Sequence, residues 1–352
     1  MSLRDEIHEQ PEVAQRLLTS QRAAVEAIAA SLAERDIDLV LIAARGSSDH
    51  AAIYAQYLFG TLHRIPVALA APAISSVYGV TPRLERALVI GISQSGRSPD
   101  VVGVLEAAHS QGAPTVAITN VPTSALAAAA DHVIDISAGQ ERATAATKTY
   151  SMSLLAVAML VAAMDGGTGF GGDRAVRMRA LDALPQVMAT ALAGEAHVAA
   201  VAESRTDLDR CIVLGRGFEY ATAREWALKL KELAQVAADP YSAADFQHGP
   251  LALVEPGYPI LAVAPTGATL SGMSELLRRL RDEHGVDLVV ISDDAETQAI
   301  GAAARPTPTA PGEWLSPLVS TLPAQLFAYH LTRARGQDTE QPRWISKVTL
   351  TR

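Results

Sequence analysis

The sequence predicts an α/β protein built on parallel sheets with helices on both faces, and three observations carry that expectation. Short apolar runs alternate with alanine-rich helical patterns, the second half of the chain repeats the first, and two loops leaving the runs are rich in serine and glycine. With 352 residues, 49% of them hydrophobic, the chain can bury the cores of two domains at roughly 100–200 residues each.

Taken in order, residues 12–34 repeat alanine and leucine at helical spacing and lead, as one or two helices, into the strand "DLVLIAA" at 38–44. The runs "VALA" (67–70), "ALVIGI" (87–92), "TVAIT" (115–119) and "HVIDI" (132–136) read as further short strands, with helical patterns such as 100–111 between several of them. A glycine cluster, "DGGTGFGGD" at 165–173, interrupts the pattern and places a domain boundary near it. Beyond it, 210–230 mirrors 38–58, 258–280 mirrors 86–108, and 286–294 mirrors 113–120. An offset of about 170 residues is too long for a solenoid repeat and marks a duplicated α/β unit. The expected organisation is an N-terminal helical segment (1–30), a first domain (31–165), a glycine-rich linker and helix (166–200), a second domain (201–335) and a C-terminal tail (336–352).

Composition excludes several classes of partner. A net charge of −9 leaves no basic stripe for a nucleic-acid backbone, although one small anion can still be bound locally. Cys211 is the single cysteine, so no intrachain disulfide forms, no zinc-site spacing exists, and a reducing, cytoplasmic setting is expected. The N-terminus "MSLRDEIHEQPEVAQRLL" is charged throughout, unlike a signal peptide. The longest apolar stretch, 154–164, falls short of the ~20 residues that span a bilayer, so no membrane association is expected.

Ligands of an open parallel sheet bind where loops leave the carboxyl ends of the strands. There, "RGSSDH" (45–50) and "SQSGRSPD" (93–100) combine backbone N–H groups at a helix start with serine hydroxyls, donors suited to phosphate oxygens and sugar hydroxyls. Neither loop matches the lysine-containing P-loop or the dinucleotide-binding glycine pattern, so ATP and NAD are poorly supported. Serine before a helix is ordinarily a cap or turn former. Two such loops in one unit nonetheless favour a small phosphorylated polyol.

The stretch 225–250, "EWALKLKELAQVAADPYSAADFQHGP", is densest in acid–base groups. On a helix, Glu225, Lys229 and Glu232 share one face, which on most helices is a solvated ion-pair stripe. The surrounding Trp226, Leu228, Leu230 and Leu233 argue for burial instead, and His248 follows in a "QHGP" turn. Lys347 lies in a short β-like run near the C-terminus, where a lysine ordinarily faces solvent.

Together these motifs resemble two sugar isomerase (SIS) domains in tandem, and in particular the isomerase half of glutamine–fructose-6-phosphate aminotransferases. The likeness runs from about residue 30 to the end through "RGSSDHA", "SQSGRSPD", "ERATAATKT" (141–149), "LGRG" (214–217), "EWALKLKELA" (225–234), "FQHGPLALV" (246–254) and "PRWISKVT" (342–349). The resemblance implies that Ser93, Gln94, Ser95 and Ser98 hold the sugar phosphate, that Ser47 and Ser48 bind the sugar, and that Thr144 and Ala145 line the pocket with backbone, with Glu225 a further substrate contact. It makes Glu232 the base that moves a proton between C1 and C2, Lys229 its neighbour, His248 the ring-opening group contributed across a homodimer interface, and Lys347 the Schiff-base lysine. No metal or organic cofactor is implied.

Departures from the aminotransferase pattern direct the expected reaction. The 352 residues contain no counterpart of the glutamine-hydrolysing domain with its cysteine nucleophile, because Cys211 falls within a strand. Arg97 stands where an acidic residue is common, a form that looks like SIS-type glucosamine-6-phosphate deaminases; Ala146 replaces a sugar-contacting serine, and Arg45 replaces a small residue. The expectation is therefore conversion of glucosamine 6-phosphate and water to fructose 6-phosphate and ammonia. Alternatives are another phosphosugar isomerisation, amine release from a galactosamine or fructosamine phosphate, and a non-catalytic phosphosugar sensor.

Overall fold

The structure is a computed structural model that describes residues 2–301 and 307–347. The chain divides into two compact units: one gathers residues 12–141, 148–182 and the tail from 346, the other residues 1–11, 142–147 and 183–345. The two units follow one another along the chain, except that residues 1–11 and 142–147 belong with the second and the tail from 346 with the first.

The first unit is a five-stranded parallel sheet of β1 (Leu39–Ala43), β2 (Val67–Leu69), β3 (Ala87–Ile92), β4 (Thr115–Thr119) and β5 (His132–Asp135), in the order β2-β1-β3-β4-β5. Helices flank it, which is why β3 and β4 are apolar without alternation: every residue of both is buried. One face packs Val89 and Ala117 under Val101, Leu105 and Leu126, burial worth about 1.5–3 kcal/mol for each large side chain. The Lys148–Ala163 helix is buried along all 16 residues, as its lack of a polar face demands.

The second unit repeats the plan with β6 (Arg210–Gly215), β7 (Ala237–Ser242), β8 (Pro259–Val263) and β9 (Asp287–Ile291), again all parallel and ordered β7-β6-β8-β9. This matches β2-β1-β3-β4 strand for strand. Ile212, Ile260 and Val290 of the strands form its core together with Leu277 of the Leu270–His284 helix. The expected duplication is therefore present in the sheet order itself.

β7 was not anticipated from "AADPYS", which has no apolar run. It is an edge strand, a place that tolerates Pro240 because one side of the ladder needs no donor. The 12–34 pattern, read as one or two helices, is a single helix, Gln10–Ala33. No helix among the described residues is long and apolar enough to cross a membrane.

Candidate active site

In the second unit, the Glu219–Ala234 helix carries Glu225, Lys229 and Glu232 on one face, as its spacing predicts, and buries Glu225 and Lys229 while leaving Glu232 partly exposed. The Ser316–Ala334 helix packs beside it, with Phe327 edge-on to Trp226 at 5.4 Å between ring centroids. Lys229 and Glu225 are each 1% exposed and lie 3.3 Å apart, while Glu232 Oε2, on a side chain 21% exposed, is 2.5 Å from Lys229 Nζ. Burial alone would pull the Lys229 amine down, but Glu225 and Glu232 outweigh it and hold the amine above its ordinary value. Lys229 is thus a fixed internal cation, and Glu232 is the member of the trio that reaches the surface.

The same unit contains the loop with Thr144 and Ala145. Thr144 N–H and Oγ1–H donate to the Glu340 carbonyl at 3.3 and 3.2 Å, and Thr144 lines a polar cavity of about 610 Å³ with Arg142, Glu340, Gln341, Pro342 and Ile345. Ala145 is buried behind it. Glu6, fully buried on the N-terminal helix Leu3–His8, accepts from the N–H groups of Arg142 and Ala143, the latter at 3.3 Å. Nothing in the local sequence marked Glu6 for this role, since its partners lie 136 and 137 residues away.

His248 is exposed and its side chain makes no hydrogen bond among the described residues, while its backbone N–H donates to Asp245 O at 3.0 Å. The structure does not bring it to Glu232 within the unit. A second cavity, about 290 Å³ and lined by Val198, Trp226, Ile291 and Phe327 among others, is apolar and contains none of the titratable candidates.

In the first unit, β1 and β3 are neighbours in register, Ala43 against Gly91, and the chain proceeds to β2 on one side and β4 on the other. The two serine loops leave the carboxyl ends of these strands side by side, at the switch point of the sheet. Gly46 adopts φ +55° before the Ser47–His63 helix, so that Ser47 and Ser48 occupy its first turn. Gly96 (φ +60°) makes the turn of the second loop, where a Cβ would collide with Ser124.

Within that second loop, Ser93 Oγ and Ser95 Oγ accept from the N–H groups of Gly96 (3.2 Å) and Arg97 (3.4 Å), which shapes the turn. Ser98 stands at the cap of the Pro99–His109 helix, yet its hydroxyl makes no capping bond, unlike Ser124, which caps a later turn. The Gln94 side-chain amide also has no partner among the described residues. Turn formation therefore uses part of the loop's hydrogen-bonding capacity and leaves Ser98 and Gln94 available.

Lys347, the tail lysine expected to face solvent, is only 24% exposed and donates to Glu141 Oε2 at 2.5 Å. Glu141 is completely buried and is set by Thr149, whose N–H and Oγ1–H donate to it at 3.0 and 2.7 Å. Sequence reading quoted Glu141 within "ERATAATKT" without giving it a task, because its partner is 206 residues away. Among the described residues no group of three or more His, Cys, Asp and Glu side chains is arranged to hold a metal ion.

Comparison with known proteins bears on the family and the fold. The SIS domain family matches residues 35–163 and 206–334. Over 346 residues, 97% of this chain, the protein is 36% identical to glutamine–fructose-6-phosphate aminotransferase [isomerizing] of Methanothermobacter thermautotrophicus, and spans 56% of that protein's length. A candidate phosphosugar isomerase from Silicibacter pomeroyi superposes with a TM-score of 0.84 at 34% identity, covering 96% of this chain and 100% of the other. The C-terminal domain of glucosamine–fructose-6-phosphate aminotransferase from Francisella tularensis gives 0.85 at 27% identity, covering 97% and 98%. The chain belongs to the SIS domain family, with two copies of the domain in tandem.

Proposed function

We propose that the protein converts glucosamine 6-phosphate and water to fructose 6-phosphate and ammonia. The observation that carries the proposal is the buried Glu225–Lys229–Glu232 trio with Glu232 at its accessible end. Ketose formation from a 2-amino aldose requires one group that takes the proton from C2 and returns it to C1, and a carboxylate beside a fixed cation suits that work.

In the proposed sequence the phosphate is held by Ser93, Gln94, Ser95 and Ser98, and His248 of a second copy of the chain assists ring opening. Its exposure, and the lack of a side-chain hydrogen bond among the described residues, favour that assignment. Glu232 removes the C2 proton to give an enolamine and delivers it to C1, which leaves a ketimine at C2. Water adds at C2, the C–N bond breaks, and ammonia departs. Lys347 assists by exchanging with the imine, its side chain held in place by Glu141.

Cys211 lies in β6, and burial pushes its thiol up to about 12, so this cysteine is not a ready nucleophile. In the proposed direction water is the reactant that hydrolyses the imine. Purified protein is expected to release ammonia and fructose 6-phosphate in equal amounts from glucosamine 6-phosphate. Ammonia without the ketose, or binding without release at any enzyme concentration, would contradict the proposal. Specific activity that falls on dilution through the dimer range is the expected sign of a shared His248.

A further inference from the structure

The serine loop 93–100 contains no lysine, and its one cation, Arg97, is exposed. We propose that Arg45, from the neighbouring loop, is the cation of the sugar-phosphate site, presented there by the buried carboxylate of Asp100. The inference rests on the phosphosugar reading above and adds a ligand-contacting residue to it.

The geometry is specific. Arg45 follows β1 directly, and its Nε and Nη2 both donate to Asp100 Oδ2, at 2.8 and 2.7 Å. Asp100 is two residues beyond Ser98, in the first turn of the 11-residue Pro99–His109 helix, and its other oxygen accepts from Val101 N–H at 3.0 Å. The carboxylate is 2% exposed while the arginine side chain is 49% exposed. An ordinary surface pair leaves both partners in water, as Arg210 and Glu255 do here at 63% each.

The asymmetry means that one edge of the guanidinium is pinned from beneath while the other stays open. Nη1, with two N–H groups, has no partner among the described residues. It is held at the switch point, beside a helix start whose N–H groups also favour an anion. A guanidinium is planar and presents its donors in a fixed fork, so anchoring one edge orients the remaining arm without further loss of side-chain freedom. Asp100 takes up part of the positive charge, so a moderate contact of one charge-assisted hydrogen-bonding arm is expected, not a full bidentate clamp.

The competing explanation is that Arg45 serves only to satisfy Asp100. Removing Arg45 alone cannot decide this, because a buried carboxylate deprived of its arginine would itself repel phosphate. The test is calorimetric binding of glucitol 6-phosphate, a sugar phosphate with no carbonyl, to the full chain, to the double variant Arg45→Gln/Asp100→Asn and to Arg45→Lys. We expect the double variant to melt like the parent and bind about tenfold more weakly. Arg45→Lys keeps a cation for Asp100 but no second arm, and several-fold weakening is expected, which keeps the test decisive if the double variant does not fold. Parent-like affinity in the double variant, or in Arg45→Lys where the double variant is unfolded, overturns the inference alone. Failure of the parent protein to bind glucitol 6-phosphate would instead overturn the phosphosugar reading beneath it.

Discussion

The two halves of this chain start from one plan and place their chemistry differently. In the first, β1 and β3 end in loops with Ser47, Ser48, Ser93, Gln94, Ser95 and Ser98, and the polar groups sit at helix starts. In the second, the loop after β6 continues into Phe218 and Glu219, and the reactive groups lie further along the helix, at Glu225, Lys229 and Glu232. Helix starts supply oriented N–H donors and suit an anion that must be held. A buried helix face supplies a dehydrated, fixed charge and suits a proton that must be moved. On the proposed function, duplication followed by such division gives each copy one task.

Substitutions should separate the halves by the kinetic constant they disturb. The largest effect is expected from Glu232→Gln, with kcat lower by about 10²–10⁴-fold and sugar-phosphate binding nearly unchanged, as removal of a proton-transfer group requires. If binding is lost instead, the helix face is a recognition surface and the proposed division fails. Ser98→Ala is expected to raise KM about tenfold with little change in kcat, the loss of one hydrogen bond to a charged group. A kcat defect without a KM change would place Ser98 in the chemistry.

Glu141 provides a sharper case because it acts through another residue. Glu141→Gln should lower kcat several-fold while leaving KM within about twofold, and should reduce the sugar adduct trapped on Lys347 by borohydride. Unchanged trapping would show that Lys347 needs no carboxylate to position it.

The smallest expected effect concerns Glu219, at the start of the second unit's reactive helix. Burial raises its carboxyl to about 7 from an ordinary 4.5, against the opposing hydroxyls of Ser316, Thr222 and Ser320. Its Oε1 accepts from Ser320 Oγ at 3.2 Å, and its Oε2 meets no donor within hydrogen-bond geometry among the described residues. A raised carboxyl favours the neutral form in the folded state, so stability is greatest below pH 4.5 for this group and is lost as pH rises toward 7. Melting temperature should therefore decline less between pH 5 and 8 in Glu219→Gln than in the parent. Parallel curves would mean that Glu219 already carries its charge in the fold.

Much of this arrangement was legible before the coordinates. Strands β1, β3, β4, β6, β8 and β9 are continuous apolar runs because both faces of each sheet are covered, and that is a pattern one can count. The Glu225–Lys229–Glu232 face follows from helical spacing, and its apolar neighbours pointed to burial. β7 was illegible because an edge strand with Asp239 and Pro240 shows no period. Glu6, Asp100 and Glu141 were illegible as positioning groups for a different reason: each acts on a partner between 55 and 206 residues away. Spacing reports neighbours on one element, whereas pairing across elements is created by the fold.

The most direct test of the proposed chemistry uses glucosamine 6-phosphate deuterated at C2, with the parent protein and Glu232→Gln compared. Deuterium is expected to leave C2 as ammonia and fructose 6-phosphate appear, with a primary isotope effect on turnover and near-complete loss of release in the variant. Ammonia release with C2 deuterium retained in an aldose product, or equal release by Glu232→Gln, would contradict proton transfer by Glu232.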